Sequence, residues 1–97
     1  MKVRYALRAR ADMEEISDYL GQRNPQAARR VIAAIRRSIV LMQTFPRRGR
    51  KQKERGVRRV SVPKYPYHIY YRIDEVEQLL VIIQVRHTAR RPRHKDH

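Results

Sequence analysis

Val57-Arg58-Arg59-Val60-Ser61-Val62, then Pro66-Tyr67-His68-Ile69-Tyr70-Tyr71-Arg72-Ile73, then Leu79 to Val85 running into Arg86-His87-Thr88-Ala89-Arg90: these three consecutive runs decide the fold. Each is short and rich in β-branched and aromatic residues, which suits a strand. In a strand, alternate residues share a face. Ile69, Tyr71 and Ile73 therefore form one apolar face, and Leu79, Val81, Ile83 and Val85 are expected to form another. The opposite face carries His68, Tyr70 and Arg72, then Leu80, Ile82, Gln84 and Arg86, with Arg59 and Ser61 on the first run. The connection from Asp74 to Gln78 is short enough for an antiparallel hairpin. The expected sheet is apolar on one side and basic on the other, with Leu80 and Ile82 partly wet.

Upstream, Val3 and Tyr5 alternate with Lys2 and Arg4, as in a short first strand. Residues 8–20 read as a helix, with Ala9, Met13, Ile16 and Leu20 on one face and Glu14, Glu15 and Asp18 opposite. Gly21 is the expected stop. Asn24-Pro25 is a helix start: Asn accepts from free N–H groups, and Pro at the first helical position forfeits no hydrogen bond. The second helix is expected from about Pro25 to about Thr44. Ala28, Val31, Ile32, Ile35, Ile39 and Met42 lie on one side, and Arg29, Arg30, Arg36 and Arg37 on the other. Phe45-Pro46 ends it, and Arg47 to Gly56 reads as a mobile basic loop able to contact phosphate. The predicted order is β-α-α-β-β-β. This is an α+β fold with a helix hairpin on one face of a small, mainly antiparallel sheet. Residues 1–90 form a single domain in this reading, and 91–97 a basic C-terminal tail.

Composition bounds the function. At 97 residues the chain builds one modest core, with little room for a deep cavity as well. The formal charge is +15, and only five of the 24 basic residues are Lys. Such a charge repels itself in a compact state and favours a polyanionic partner, either nucleic acid or an acidic protein. Arg adds paired hydrogen bonds to carboxylate or phosphate. There is no cysteine, so disulfides and thiolate metal sites are excluded. No run approaches the roughly 20 apolar residues of a membrane helix, and no signal-peptide core follows Met1. The expected location is the cytoplasm. The four His, at 68, 87, 94 and 97, lack metal-ligand spacing, and no cofactor is expected.

Taken in order, several segments resemble the RelE/ParE superfamily, the toxins of bacterial type II toxin–antitoxin modules. They are Pro25 with its Ala-rich helix, Phe45-Pro46-Arg47-Arg48-Gly49-Arg50, Gly56-Val57-Arg58, Pro66-Tyr67-His68-Ile69-Tyr70-Tyr71-Arg72 and Val85-Arg86-His87-Thr88-Ala89-Arg90. The resemblance spans nearly the whole chain. It implies an acidic antitoxin that wraps and blocks the toxin in a hetero-oligomer. The contacts expected for it are Met13, Ile16, Leu80, Ile82 and Arg72, with the groove between the helices.

The resemblance also implies one of two targets. ParE-like members inhibit DNA gyrase without chemistry of their own. RelE-like members cleave messenger RNA on the ribosome without a metal. Nuclease candidates at the corresponding places are Arg59, His68, Arg72, Arg86, His87 and Arg90. Cleavage through the 2′-hydroxyl needs a base, an acid and cations for the phosphorane. Ser61 stands where a second cation of the second strand is expected, and no Tyr follows Tyr71. His68 and His87 could serve as the proton-transfer pair. The blander reading of His87 is a hydrogen-bonding residue at a strand end, and that of Arg72 an ion pair with Asp18. The incomplete set favours the ParE-like branch, with Arg86, His87, Arg90, Arg91 and Arg93 as the gyrase contact. A plain nucleic-acid-binding module, using the Arg face of the second helix, is a third reading.

Overall fold

The computed structural model describes residues 1–89. Strand β1 spans Lys2–Tyr5, helix α1 Leu7–Arg23, helix α2 Pro25–Thr44, and strands β2 to β5 Arg50–Lys51, Val57–Ser61, Tyr67–Asp74 and Leu79–His87. The sheet order is β1-β5-β4-β3-β2. Only the β1–β5 pair is parallel. The helix hairpin covers one face. The core joins Val31, Ala34, Ile35, Ile39 and Met42 of α2 to Ile69 and Tyr71 of β4 and Leu80, Ile82 and Val85 of β5.

Asn24 makes the hairpin corner. Its N–H closes α1 onto the Leu20 carbonyl at 2.7 Å, and its Oδ1 accepts from the Ala27 N–H at 3.1 Å. One residue thus ends α1 and caps α2, with Pro25 at the first helical position. The expected stop at Gly21 is corrected: α1 runs through it to Arg23. A glycine inside a helix costs about 1 kcal/mol relative to Ala, which the cap and the packing of the hairpin outweigh.

The expected phase of β5 is also corrected. Leu80 and Ile82 are fully buried at 0% exposure, and it is Leu79, Val81 and Ile83 that are only half-buried. The cause is a bulge. Tyr70 pairs with Gln84 but Tyr71 with Ile82, so Ile83 has no partner on β4. One extra residue reverses the faces on its two sides. Leu80 and Ile82 point inward before it, and Val85 points inward after it.

The Asp12 carboxylate on α1 accepts the N–H of Val85 at 2.9 Å, just past the bulge, and so fastens the helix to the irregular strand. Asp12 also pairs with Arg8 at 3.3 Å.

The basic segment after Pro46 is not the structureless loop expected. Arg50–Lys51 adds a fifth strand against β3. Gly49 is buried, and its N–H donates to the Tyr71 hydroxyl at 3.0 Å. That hydroxyl donates to the Pro46 carbonyl at 2.8 Å. The Arg58 guanidinium donates to the carbonyls of Arg47 and Gly49 at 3.0 and 2.9 Å. Gly56, at φ +78°, then turns the chain into β3.

Candidate functional site: the open face of the sheet

Register across the sheet defines the face that the helices leave open. One row reads Arg50, Arg59, Tyr70 and Gln84. The next reads Ser61, His68 and Arg86. On the other side lie Val57, Arg72, Val81 and Arg4, and then Asp74, Leu79 and Lys2. The strand residues of this face thus include six cations and one acid, Asp74. That carboxylate accepts the N–H of Glu77 in the hairpin turn.

Of the nuclease candidates, the fold brings Arg59, His68, Arg72 and Arg86 together on this face. His68 sits at its centre, with Nδ1 3.1 Å from Ser61 Oγ and its ring edge-on to Tyr70 at 6.3 Å. Partial burial lowers the His68 pKa, and the nearby Arg59 charge lowers it further. The imidazole is therefore held neutral at physiological pH.

His87 does not join this group, so the alternative in which His68 and His87 form a proton-transfer pair does not fit the fold. His87 faces Tyr67 across the strands, on the opposite side of the sheet from His68. Its ring meets Tyr67 edge-on at 5.3 Å, and its Nδ1 accepts the Ala89 N–H at 3.1 Å. Strand alternation dictates this, because 68 and 87 fall in neighbouring rows of opposite sense. The strand-end reading of His87 describes what is found.

Arg72 is exposed on the open face, whereas Asp18 lies on α1 against the other face. The alternative reading of Arg72 as an ion pair with a helix acid such as Asp18 is therefore not what is found. Tyr71 belongs to the core. Burial raises its pKa, against the opposing effects of the Gly49 N–H and the Arg58 and Arg48 charges. Arg90, Arg91 and Arg93 lie outside the described residues.

Chemically, the face offers a neutral imidazole beside a hydroxyl, among guanidinium groups. It can accept one proton and hold an oxyanion. Among the described residues no second imidazole shares it, and the acid half of a two-proton relay would fall to the Tyr70 phenol. Nor do those residues include a metal-holding group of three His, Cys, Asp or Glu. No described helix is long and apolar enough to cross a membrane.

Sequence reasoning missed Arg50 and Arg4 as members of the face. Arg50 belongs to a two-residue strand that carries no periodic signal. Arg4 was legible from its alternation with Val3 and Tyr5.

The residues expected to contact an antitoxin differ in accessibility. Met13 and Ile16 are half-buried against the core, and Arg72 is exposed. Leu80 and Ile82 are inaccessible to any partner. Apolar surface is instead exposed at the end of α2, at Val40, Leu41 and Phe45. A shallow groove along the helix pair is lined by Ser17, Gly21, Ala28 and Ile32, with Arg29 and Arg36 beside them.

The model of the ParE toxin of type II toxin–antitoxin systems (parDE) matches residues 3–92. Toxin RelE2 of Caulobacter vibrioides is 35% identical over 89 residues, covering 92% of this chain and 97% of that protein. Putative toxin Y4kP of Sinorhizobium fredii is 30% identical over 82 residues, covering 84% and 85%. Among solved structures, a chain of the chromosomal ParDE system from P. aeruginosa shares the fold. Its TM-score is 0.78 at 20% identity, over 90% of this chain and 95% of that one. The two helices on a mixed five-stranded sheet are thus the RelE/ParE-like α+β fold. With nearly its whole length matched, the chain belongs to the ParE toxin family of type II toxin–antitoxin systems.

Proposed function

We propose that this toxin inhibits DNA gyrase by occupying a surface on it, without chemistry of its own, and that an acidic antitoxin neutralises it. The observation that carries the reading is the placement of the two histidines on opposite faces of the sheet. It leaves His68 with a hydroxyl neighbour and, among the described residues, no second imidazole on its face. The match to the ParE family over residues 3–92 supports the same branch.

The charge of +15 supports an acidic antitoxin. Its docking surface is the helix pair: the groove flanked by Arg29 and Arg36, and the exposed Val40, Leu41 and Phe45. An acidic helix with one apolar side meets both requirements.

The test is a supercoiling assay with purified gyrase and the toxin freed from its antitoxin. Inhibition that antitoxin reverses is the expected result, and full supercoiling at excess toxin removes the proposal. One arrangement favours a second reading, ribosome-dependent cleavage of messenger RNA: Arg59, Arg72, Arg86 and His68 do share a face. Primer extension on translated transcripts separates the two, since cleavage leaves new 5′ ends within codons.

A further inference from the structure

We infer that the open sheet face binds the phosphates of duplex DNA. The toxin would then engage DNA as well as a protein target. The inference extends the gyrase reading, because gyrase works on duplex DNA, but it rests on a different observation: the distribution of cations over the sheet.

Arg4, Arg50, Arg59 and Arg72 lie on this face, and none forms an ion pair or side-chain hydrogen bond among the described residues. Arg4, Arg50 and Arg72 are exposed and Arg59 is half-buried. Unpaired guanidinium groups on one face with a single acid repel one another, and a phosphate backbone relieves that repulsion.

Their spacing favours a duplex. Arg4 on β1 and Arg59 on β3 are three strand spacings apart and two residues offset along the strands, or about 16 Å. Long Arg side chains at that separation can reach phosphates on both sides of a major groove about 12 Å wide. Arg72 lies between them on β4, and Arg50 one strand beyond Arg59.

A single strand is the poorer fit. Proteins that hold single strands stack successive bases on several aromatic rings. This face has one tyrosine, Tyr70, and its neighbour His68 is edge-on to it. The segment carrying Arg50 is also held in place, by the Tyr71 hydroxyl at Gly49 and by Arg58. Its charge is presented at a fixed position.

Fluorescence anisotropy tests this with the full chain and labelled 20-base-pair duplex DNA, single-stranded DNA and single-stranded RNA across a salt series. The duplex should bind most tightly. Each phosphate contact contributes about −0.9 to the slope of log affinity against log salt. The Arg59→Ala/Arg72→Ala variant should therefore flatten the slope by roughly 2, and the helix-face variant Arg30→Ala/Arg37→Ala, at exposed residues outside the groove, should leave it unchanged. If circular dichroism shows that the first variant does not fold, Arg4→Gln/Arg50→Gln on the outer strands replaces it, with the same expected flattening. An unchanged slope in the sheet-face variant, an equal loss in the helix-face variant, or tighter binding of single-stranded RNA would each overturn the inference. No gyrase is present, so failure here is separate from failure of the supercoiling assay.

Discussion

Replacing Tyr71 with Phe removes one oxygen and keeps the ring. In the native chain that oxygen donates to the Pro46 carbonyl at 2.8 Å and accepts the Gly49 N–H at 3.0 Å. The side chain is 0% exposed and Gly49 is buried, so water cannot substitute freely. Two hydrogen bonds are lost, at about 1 kcal/mol each, and stranding the Gly49 N–H adds about 1–2 kcal/mol. The expected loss is about 3–4 kcal/mol, a large share of the roughly 5–15 kcal/mol of a small domain. Urea denaturation reads it directly. Thermal unfolding should show a drop of about 12–30 °C at this chain length.

An alkaline titration gives a second reading of the same oxygen. Burial raises the Tyr71 pKa, so the folded state holds the phenolic proton more tightly than the unfolded state does. That contribution is fully present below about pH 10 and is lost as the pH rises through the raised value. Tyr71→Phe removes this alkaline dependence.

Gly49→Ala attacks the same contact from the other side. A Cβ there would lie 2.5 Å from the Tyr71 hydroxyl oxygen and 2.8 Å from a ring carbon, so the cost is steric, about 1–3 kcal/mol. Combined with Tyr71→Phe it should cost less than the sum, because the oxygen it strikes is gone. A Tyr71→Phe protein within about 0.5 kcal/mol of the native chain would refute the hydrogen-bond accounting, since even one lost bond exceeds that.

Other consequences are simpler. Asp12→Ala should cost about 2–3 kcal/mol in urea denaturation, by releasing the Val85 N–H from a charged acceptor. Asp12→Asn, which keeps an acceptor oxygen, should recover part of that. His68 has a lowered pKa in the fold, so its neutral form contributes stability above about pH 6.5 that is lost as the pH falls below it. His68→Gln should flatten the stability profile of the toxin in that acid window. Asn24→Ala should cost about 1 kcal/mol by removing the cap of α2, read as a lower urea midpoint at unchanged slope.

Much of this architecture was legible in the chain. Both helices, the Asn24-Pro25 corner, the hairpin at 74–78 and the basic face of β3 and β4 follow from periodicity and turn chemistry. The phase of β5 was not legible. Leu79 to Ile83 is apolar at every position, so alternation gives no signal, and the bulge at Ile83 shows only in the pairing. That slip misplaced Leu80 and Ile82 as partner contacts.

The His68–His87 pair failed for a different reason. Their faces depend on the register of two strands, and residue type alone says nothing about that. The fifth strand escaped because two residues carry no period, and because its anchor, Tyr71, lies 22 residues downstream of Gly49. Gly21 misled because a glycine near a helix end reads as a stop, whereas the stronger signal three residues on, Asn24, ended the helix.

The central claim is occupancy without chemistry. The most direct measurement pairs the native toxin with a Ser61→Ala/His68→Gln variant. Each is titrated into a gyrase supercoiling reaction and, separately, expressed in cells whose transcripts are mapped by primer extension. The account predicts that both proteins block supercoiling at similar concentrations and that neither creates new 5′ ends. Supercoiling untouched by either protein, with transcript cleavage by the native toxin that disappears in the variant, would contradict it.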